Sequence, residues 1–244
     1  MSKAWKISLA VVVVLVVLVG GGIWWFLHDD APAKVSLDTA AQSVTTTTAG
    51  ATGTTASGPV SIDGTWTVDT SSGTFDYQTA TGTFAGFRIK EELSSIGSTT
   101  AVGRTGHVSG TATIAGATLT AATFDVDTTT FKTNATQRDS RVQSALETGQ
   151  FPTATFTLTS PIDIGSIPAN EQQISVKATG DLTMHGVTKS VTFDLTAKLS
   201  GQNIDVAGST NIVFADFGID NPSAGPAQTG DNGLLEVLLV FAKS

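Results

Sequence analysis

The chain is predicted to fold as an all-β domain: an antiparallel barrel of about eight strands with one short helix, preceded by a transmembrane helix and a flexible linker. Three observations predict this. From Ser61 to Ser244 the sequence consists of short runs in which apolar and polar residues alternate, broken by Gly, Asn, Asp or Pro, and a period of two marks a half-buried strand. Only one stretch in that region shows helical spacing. An all-β chain of this size must hide its sheet edges, and closure into a barrel does so.

The amino terminus comes first. Lys3 and Lys6 precede an uncharged stretch from Ile7 to Leu27, with Trp24 and Trp25 at its far end and Asp29 and Asp30 beyond it. At about 1.5 Å per residue this stretch spans roughly 30 Å, the hydrocarbon thickness of a bilayer. The charge order puts residues 1–6 in the cytoplasm and everything after the 7–27 helix outside, with the tryptophans at the interface. A cleaved signal peptide ending near "APA", residues 31–33, is the alternative, although secretory apolar cores are usually shorter. Both readings export the domain.

Residues 28–60 include "SVTTTTAGATGTTASGP", in which seven of the eleven residues from Thr45 to Thr55 are threonine and no large apolar side chain appears. Such a segment buries too little surface to offset its chain entropy, so it reads as a flexible tether to the barrel domain, residues 61–244.

Within the domain, "ATFTLT" (154–159) sets Phe156 and Leu158 on one face and Thr155, Thr157 and Thr159 on the other. "SVTFDLTAKL" (190–199) alternates in the same way over ten residues, and "GTATIAGATLTAATFDVDTTTF" reads as two strands joined near Ala115 and Gly116. In "RDSRVQSALETGQFP" Asp139 or Ser140 can cap a helix in which Val142, Ala145 and Leu146 sit at helical spacing and which Gly149 ends. The last strand, "GLLEVLLVFAKS", is apolar on both faces, interrupted only by Glu236. Either its outer face is covered by the helix or a partner, or it borders an apolar lumen.

In "GDLTMHGVTKSVTF" (180–193) two alternating runs flank residues 185–189, and Gly186 can take the positive φ that such a connection needs. This segment resembles the most recognisable part of the YceI-like family, lipid-binding proteins of the bacterial envelope. The similarity continues in order through "WTVD" (66–69), "GFRIKEEL" (86–93), "RDSR" (138–141) with "FPTATF" (151–156), and "ADFGI" (215–219). Residues 94–110 and the Glu91-Glu92 pair depart from the family pattern. The resemblance implies a lipocalin-like barrel around a long apolar cavity that holds a polyisoprenoid or similar amphiphile.

On that reading Phe84, Phe87, Ile89, Phe124, Phe156, Leu182, Met184, Phe193, Phe214 and Leu239 are the candidates to line the cavity. Alternation alone leaves open whether such residues line a cavity or fill a core. Arg138, Arg141 and Lys189 can meet a phosphate or carboxylate head group, or else pair on the surface with Asp139 and Glu147. His185 has no nucleophile or carboxylate beside it in sequence, which favours a turn or cavity-mouth role over proton transfer.

Several functions are disfavoured. The chain has no cysteine, His28, His107 and His185 are too scattered for a zinc site, and no acid, base and nucleophile set stands out, so neither enzyme activity nor any cofactor or metal is expected. A net charge of −8 opposes nucleic acid. The expected partners are a polyisoprenoid or other long-chain lipid and the membrane, with a homodimer left open. The leading function is a membrane-tethered, extracytoplasmic carrier or store of that lipid. The alternative is a structural or stress-response envelope protein that binds another protein through its apolar carboxy-terminal strand.

Overall fold

The computed structural model describes residues 31–38, 61–94, 97–165, 169–223 and 227–244. The predicted membrane helix at 7–27 and most of the predicted linker lie outside the described residues. Among these residues no helix is long and apolar enough to cross a membrane.

In chain order the elements are β1 (Gly64–Val68), β2 (Phe84–Leu93), β3 (Gly97–Thr105), β4 (Val108–Ala115), β5 (Thr118–Asp127), α1 (Thr136–Ala145), β6 (Thr153–Leu158), β7 (Ile162–Asp163), β8 (Gln173–Met184), β9 (Val187–Ser200), β10 (Asn203–Val213), β11 (Ala227–Thr229) and β12 (Asn232–Lys243). All pairings are antiparallel. The strands β1, β4, β5, β6, β8, β9, β10 and β12 pair in that order, and β12 returns to β1 through Trp66 and Lys243, so eight strands close the barrel.

One edge of β12 is shared. Its carboxy-terminal residues pair with β1, and Leu234 to Leu238 pair with β2, which carries β3 and β11 beyond the ring. The chain leaves the wall between β1 and β2, and hydrogen bonds bridge the break. Asp69 N donates to Val240 O at 2.7 Å, Val240 N donates to Thr83 Oγ1 at 3.0 Å, and the Thr83 hydroxyl donates to Asp69 O.

The outer face of β12 is where the structure departs most from the sequence-based expectations. Residues 31–38, expected in the tether, lie along it. Leu37 is buried with Ala80, Phe84, Ala207 and Leu238, a burial that contributes about 1.5–3 kcal/mol for a side chain of this size. Polar groups fix the strap: Arg88 Nε donates to Glu236 Oε2 at 2.8 Å, Val35 N to Glu236 Oε1 at 3.3 Å, and Arg104 to Ala33 O at 2.8 Å and Tyr77 O at 3.1 Å. Arg88 also donates to Pro32 O. Burial pulls the Arg104 guanidinium below its ordinary pKa, and Glu236 opposes that shift.

One face of the carboxy-terminal strand lines the lumen, and Leu238 on the other lies under the chain's own strap. Leu238 is 2% exposed and Val240 7%, so the protein-docking strand of the alternative function is not available as a free surface.

Two local boundaries also shift. The β8–β9 connection is a two-residue turn, with His185 at φ 52° and Gly186 at φ 73°, and β9 begins at Val187 rather than near Ser190. Two positive φ values in a row are the hairpin geometry whose twist matches the strands, and here a histidine takes the place usual for Asn or Asp. The helix starts at Thr136 without a side-chain cap, because Asp139 instead accepts bonds from the Thr133 N–H and hydroxyl. It ends before Glu147, which has φ 45°, rather than at Gly149.

Candidate ligand cavity

Alternation along seven wall strands points one row of side chains inward. Ala112 and Ile114, Phe124 and Val126, Phe156 and Leu158, Ile174 and Val176, Phe193 and Leu195, Ile204 and Val206, and Leu239 and Phe241 all reach the same lumen. The register of β4 against β5 shifts between Thr113 and Ile114, and alternation in β5 is broken at Thr120-Ala121, so Leu119 as well as Ala122, Phe124 and Val126 faces inward.

The lumen gives the centre of a water molecule about 220 Å³ to occupy. Few of the described residues that border it are polar, and each of these has its polar end engaged, Glu236 and Lys198 on the outer rows of their strands. The Thr128 hydroxyl donates to Phe151 O at 3.1 Å, Lys198 Nζ to Glu171 Oε2 at 2.8 Å, and Trp66 Nε1 to Ile62 O at 2.8 Å, while Glu236 receives Arg88. Water inside would lack hydrogen-bond partners, since a buried water usually makes about three.

Aromatic rings shape the interior. Phe156 and Phe193 meet edge to face at 5.4 Å, and Phe124 and Phe241 at 5.7 Å. Gly180, between Ala178 and Leu182 on the inward row of β8, makes room for this. A Cβ there would lie 2.4 Å from the Phe156 ring and from Thr157 O.

One barrel end is plugged. Met184, Ile212, Phe214, Phe217 and Ile219 pack with Leu182 and Ala154, and Leu146 after α1, Val187 and Ile89 close over them.

Of the residues singled out from the sequence, Phe124, Phe156, Leu182, Met184, Phe193 and Leu239 line the lumen. Ile89 and Phe214 belong to the end plug. Phe87 points inward but packs edge to face on Phe131, at 5.5 Å, which is the ring that borders the space. Phe84 is on the outer face, under the strap and beside Arg104, whose guanidinium carbon is 4.6 Å from the ring centre. Phe84 and Phe87 stand three apart on a strand and so must face opposite ways.

The four polar candidates lie at the plugged end but do not form one site. Arg138 is paired with Glu91 at 3.1 Å. Arg141 and Lys189 are exposed. His185 holds the turn: its Nδ1 is 3.0 Å from Phe217 O, its ring meets Phe151 edge to face at 5.2 Å, and Nε2 is buried, 3.8 Å from Glu147 Oε2. The Phe217 carbonyl assigns the proton to Nδ1. Sequence reasoning missed Trp66, Phe131, Phe241 and the isoleucines Ile62, Ile114, Ile162, Ile164, Ile174 and Ile204 as lining residues. Period-two alternation could have found those that lie within the longer strands.

The comparisons with known proteins agree with this architecture. The YceI-like domain model matches residues 32–241. Protein YceI of Escherichia coli O6:H1 is 41% identical over 91 residues, 36% of this chain and 42% of that protein. A UPF0312 protein of Pseudomonas putida is 35% identical over 108 residues, 41% of this chain and 53% of that protein. The matched stretches thus span only about half the length of these relatives, or less. Among solved structures, a polyisoprenoid binding domain from Saccharophagus degradans implicated in plant cell wall breakdown superposes with a TM-score of 0.53 at 19% identity, covering 66% of this chain and 98% of that one. Burkholderia cenocepacia BcnA gives 0.51 at 17% identity, covering 71% and 98%. At such identities these two likenesses speak for the fold. Because the family model runs from the strap through the barrel strands as far as Phe241, the chain belongs to the YceI-like domain family.

Proposed function

We propose that the protein is a membrane-tethered, extracytoplasmic lipid-binding protein that encloses a polyisoprenoid or similar long-chain amphiphile in its barrel, as a carrier or store. The observation that carries this reading is the lumen, whose lining is apolar and whose few bordering polar residues are all bonded. Each methylene moved from water into such a lining contributes about 0.8 kcal/mol. The fold shared with a polyisoprenoid binding domain supports the same ligand class. The uncharged stretch from Ile7 to Leu27 supports the tether.

Incubating the chain with phosphatidylcholine vesicles that contain polyprenol, then separating protein from vesicles, tests both parts. Polyprenol should leave with the barrel when residues 1–27 are removed, and the full chain should float with the vesicles. A truncated chain that takes up no polyprenol or fatty acid contradicts the ligand reading, and a full chain that does not float contradicts the tether.

A further inference from the structure

The wall of the barrel is not sewn evenly. Residues Thr155 to Leu158 of β6 pair with Gly180 to Thr183 of β8, and one more bond, Thr159 N to Thr179 O at 3.2 Å, extends this ladder. Below it the chain turns away at Ser160-Pro161, and β7 pairs with β5 through Ile162 and Asp163. Residues Gln173 to Ala178 of β8 still pair fully with β9. On their other edge no backbone partner exists among the described residues.

Backbone groups alternate sides along a strand, so those of Ser175 and Lys177 point the same way as Thr179 O, into the seam. What closes the seam is side-chain packing. Ile162, Ala178 and Phe193 are buried together, with Ile164 and Val176 packed at their margin and only half buried. The other break in the wall, between β1 and β2, is bridged by hydrogen bonds through Thr83. A seam without backbone bonds can part without breaking any, and its apolar lips continue directly into the lumen.

We infer that the β7–β8 seam is the lateral portal through which the hydrocarbon chain of an amphiphile enters and leaves, with Ile162, Ile164, Val176 and Ala178 as its lips. This rests on the lipid-binding reading. It also explains why an end plugged by Phe214 and Phe217 need not open for loading.

The chain has no cysteine, which makes crosslinking clean. Full-length protein carrying Ile162→Cys with Ala178→Cys, or Ile164→Cys with Val176→Cys, is oxidised, the lost thiols are verified by mass, and transfer of deuterated polyprenol from phosphatidylcholine vesicles is followed. Thr179→Cys with Thr192→Cys serves as control, since these hydroxyls are 2.8 Å apart across a paired seam. Oxidation should slow transfer about tenfold or more in either lip pair, a barrier rise of about 1.4 kcal/mol, with recovery on reduction and no effect in the control. Unchanged transfer in both oxidised lip pairs, with binding retained, would overturn the portal. Absence of polyprenol from the unsubstituted chain would instead remove the ligand reading, and the portal with it.

Discussion

Glu236→Ala is expected to destabilise the protein by about 3–5 kcal/mol, the cost of removing one partner from a buried ion pair. Glu236 is 1% exposed and Arg88 8%. Without the carboxylate, Arg88 and the nearby buried Arg104 retain only carbonyl oxygens of Pro32, Ala33 and Tyr77 as acceptors. Val35 N also loses its acceptor, so the strap loosens at the same time. Urea unfolding followed by circular dichroism should show a lower midpoint with an unchanged slope in Glu236→Ala, whereas Asp194→Ala should move it little, because both side chains of the Lys177–Asp194 pair are 73% exposed. A midpoint that stays put in Glu236→Ala would mean that the cluster under the strap contributes nothing net.

Filling the lumen should weaken binding about a hundredfold without abolishing the fold. Ala197 lines the cavity and is only half buried, so Ala197→Phe would project a ring into space that the proposed ligand occupies. Displacing about four methylenes of bound chain would cost roughly 3 kcal/mol, or about a hundredfold in affinity. Overpacking costs a core about 1–3 kcal/mol, and a lumen with free space should sit at the low end. Circular dichroism should therefore stay that of the parent while polyprenol uptake falls. Uptake at the parent level in a folded Ala197→Phe variant would place the ligand elsewhere.

Much of this architecture was legible in the sequence, and the residues show why the rest was not. Strict alternation in "SVTFDLTAKL" gives β9 its inward Phe193 and Leu195, because half-burial of a strand writes itself directly as a period of two. The same rule cannot tell lumen from covered outer wall: Phe84 and Phe124 are equally buried-looking in sequence, and Phe84 faces outward only because Leu37, remote in the chain, comes to cover it. Glu236 looked like an interruption in an apolar strand, and its partners Arg88, Val35 and the strap carbonyls lie far away in sequence. The threonine-rich composition around residues 45–55 concealed that the short segment at 31–38 has its own anchor in Val35 and Leu37. His185 drew attention as a scarce titratable group, yet its place is set by the left-handed turn and the Phe217 carbonyl.

The most direct test of the account is native mass spectrometry of the protein expressed in bacteria and purified without detergent, followed by mass analysis of its organic extract. A one-to-one complex is expected, with an added mass that matches an isoprenoid or fatty-acyl amphiphile and is lost on unfolding. A bare chain that stays bare after incubation with polyprenol and fatty-acid vesicles would contradict it.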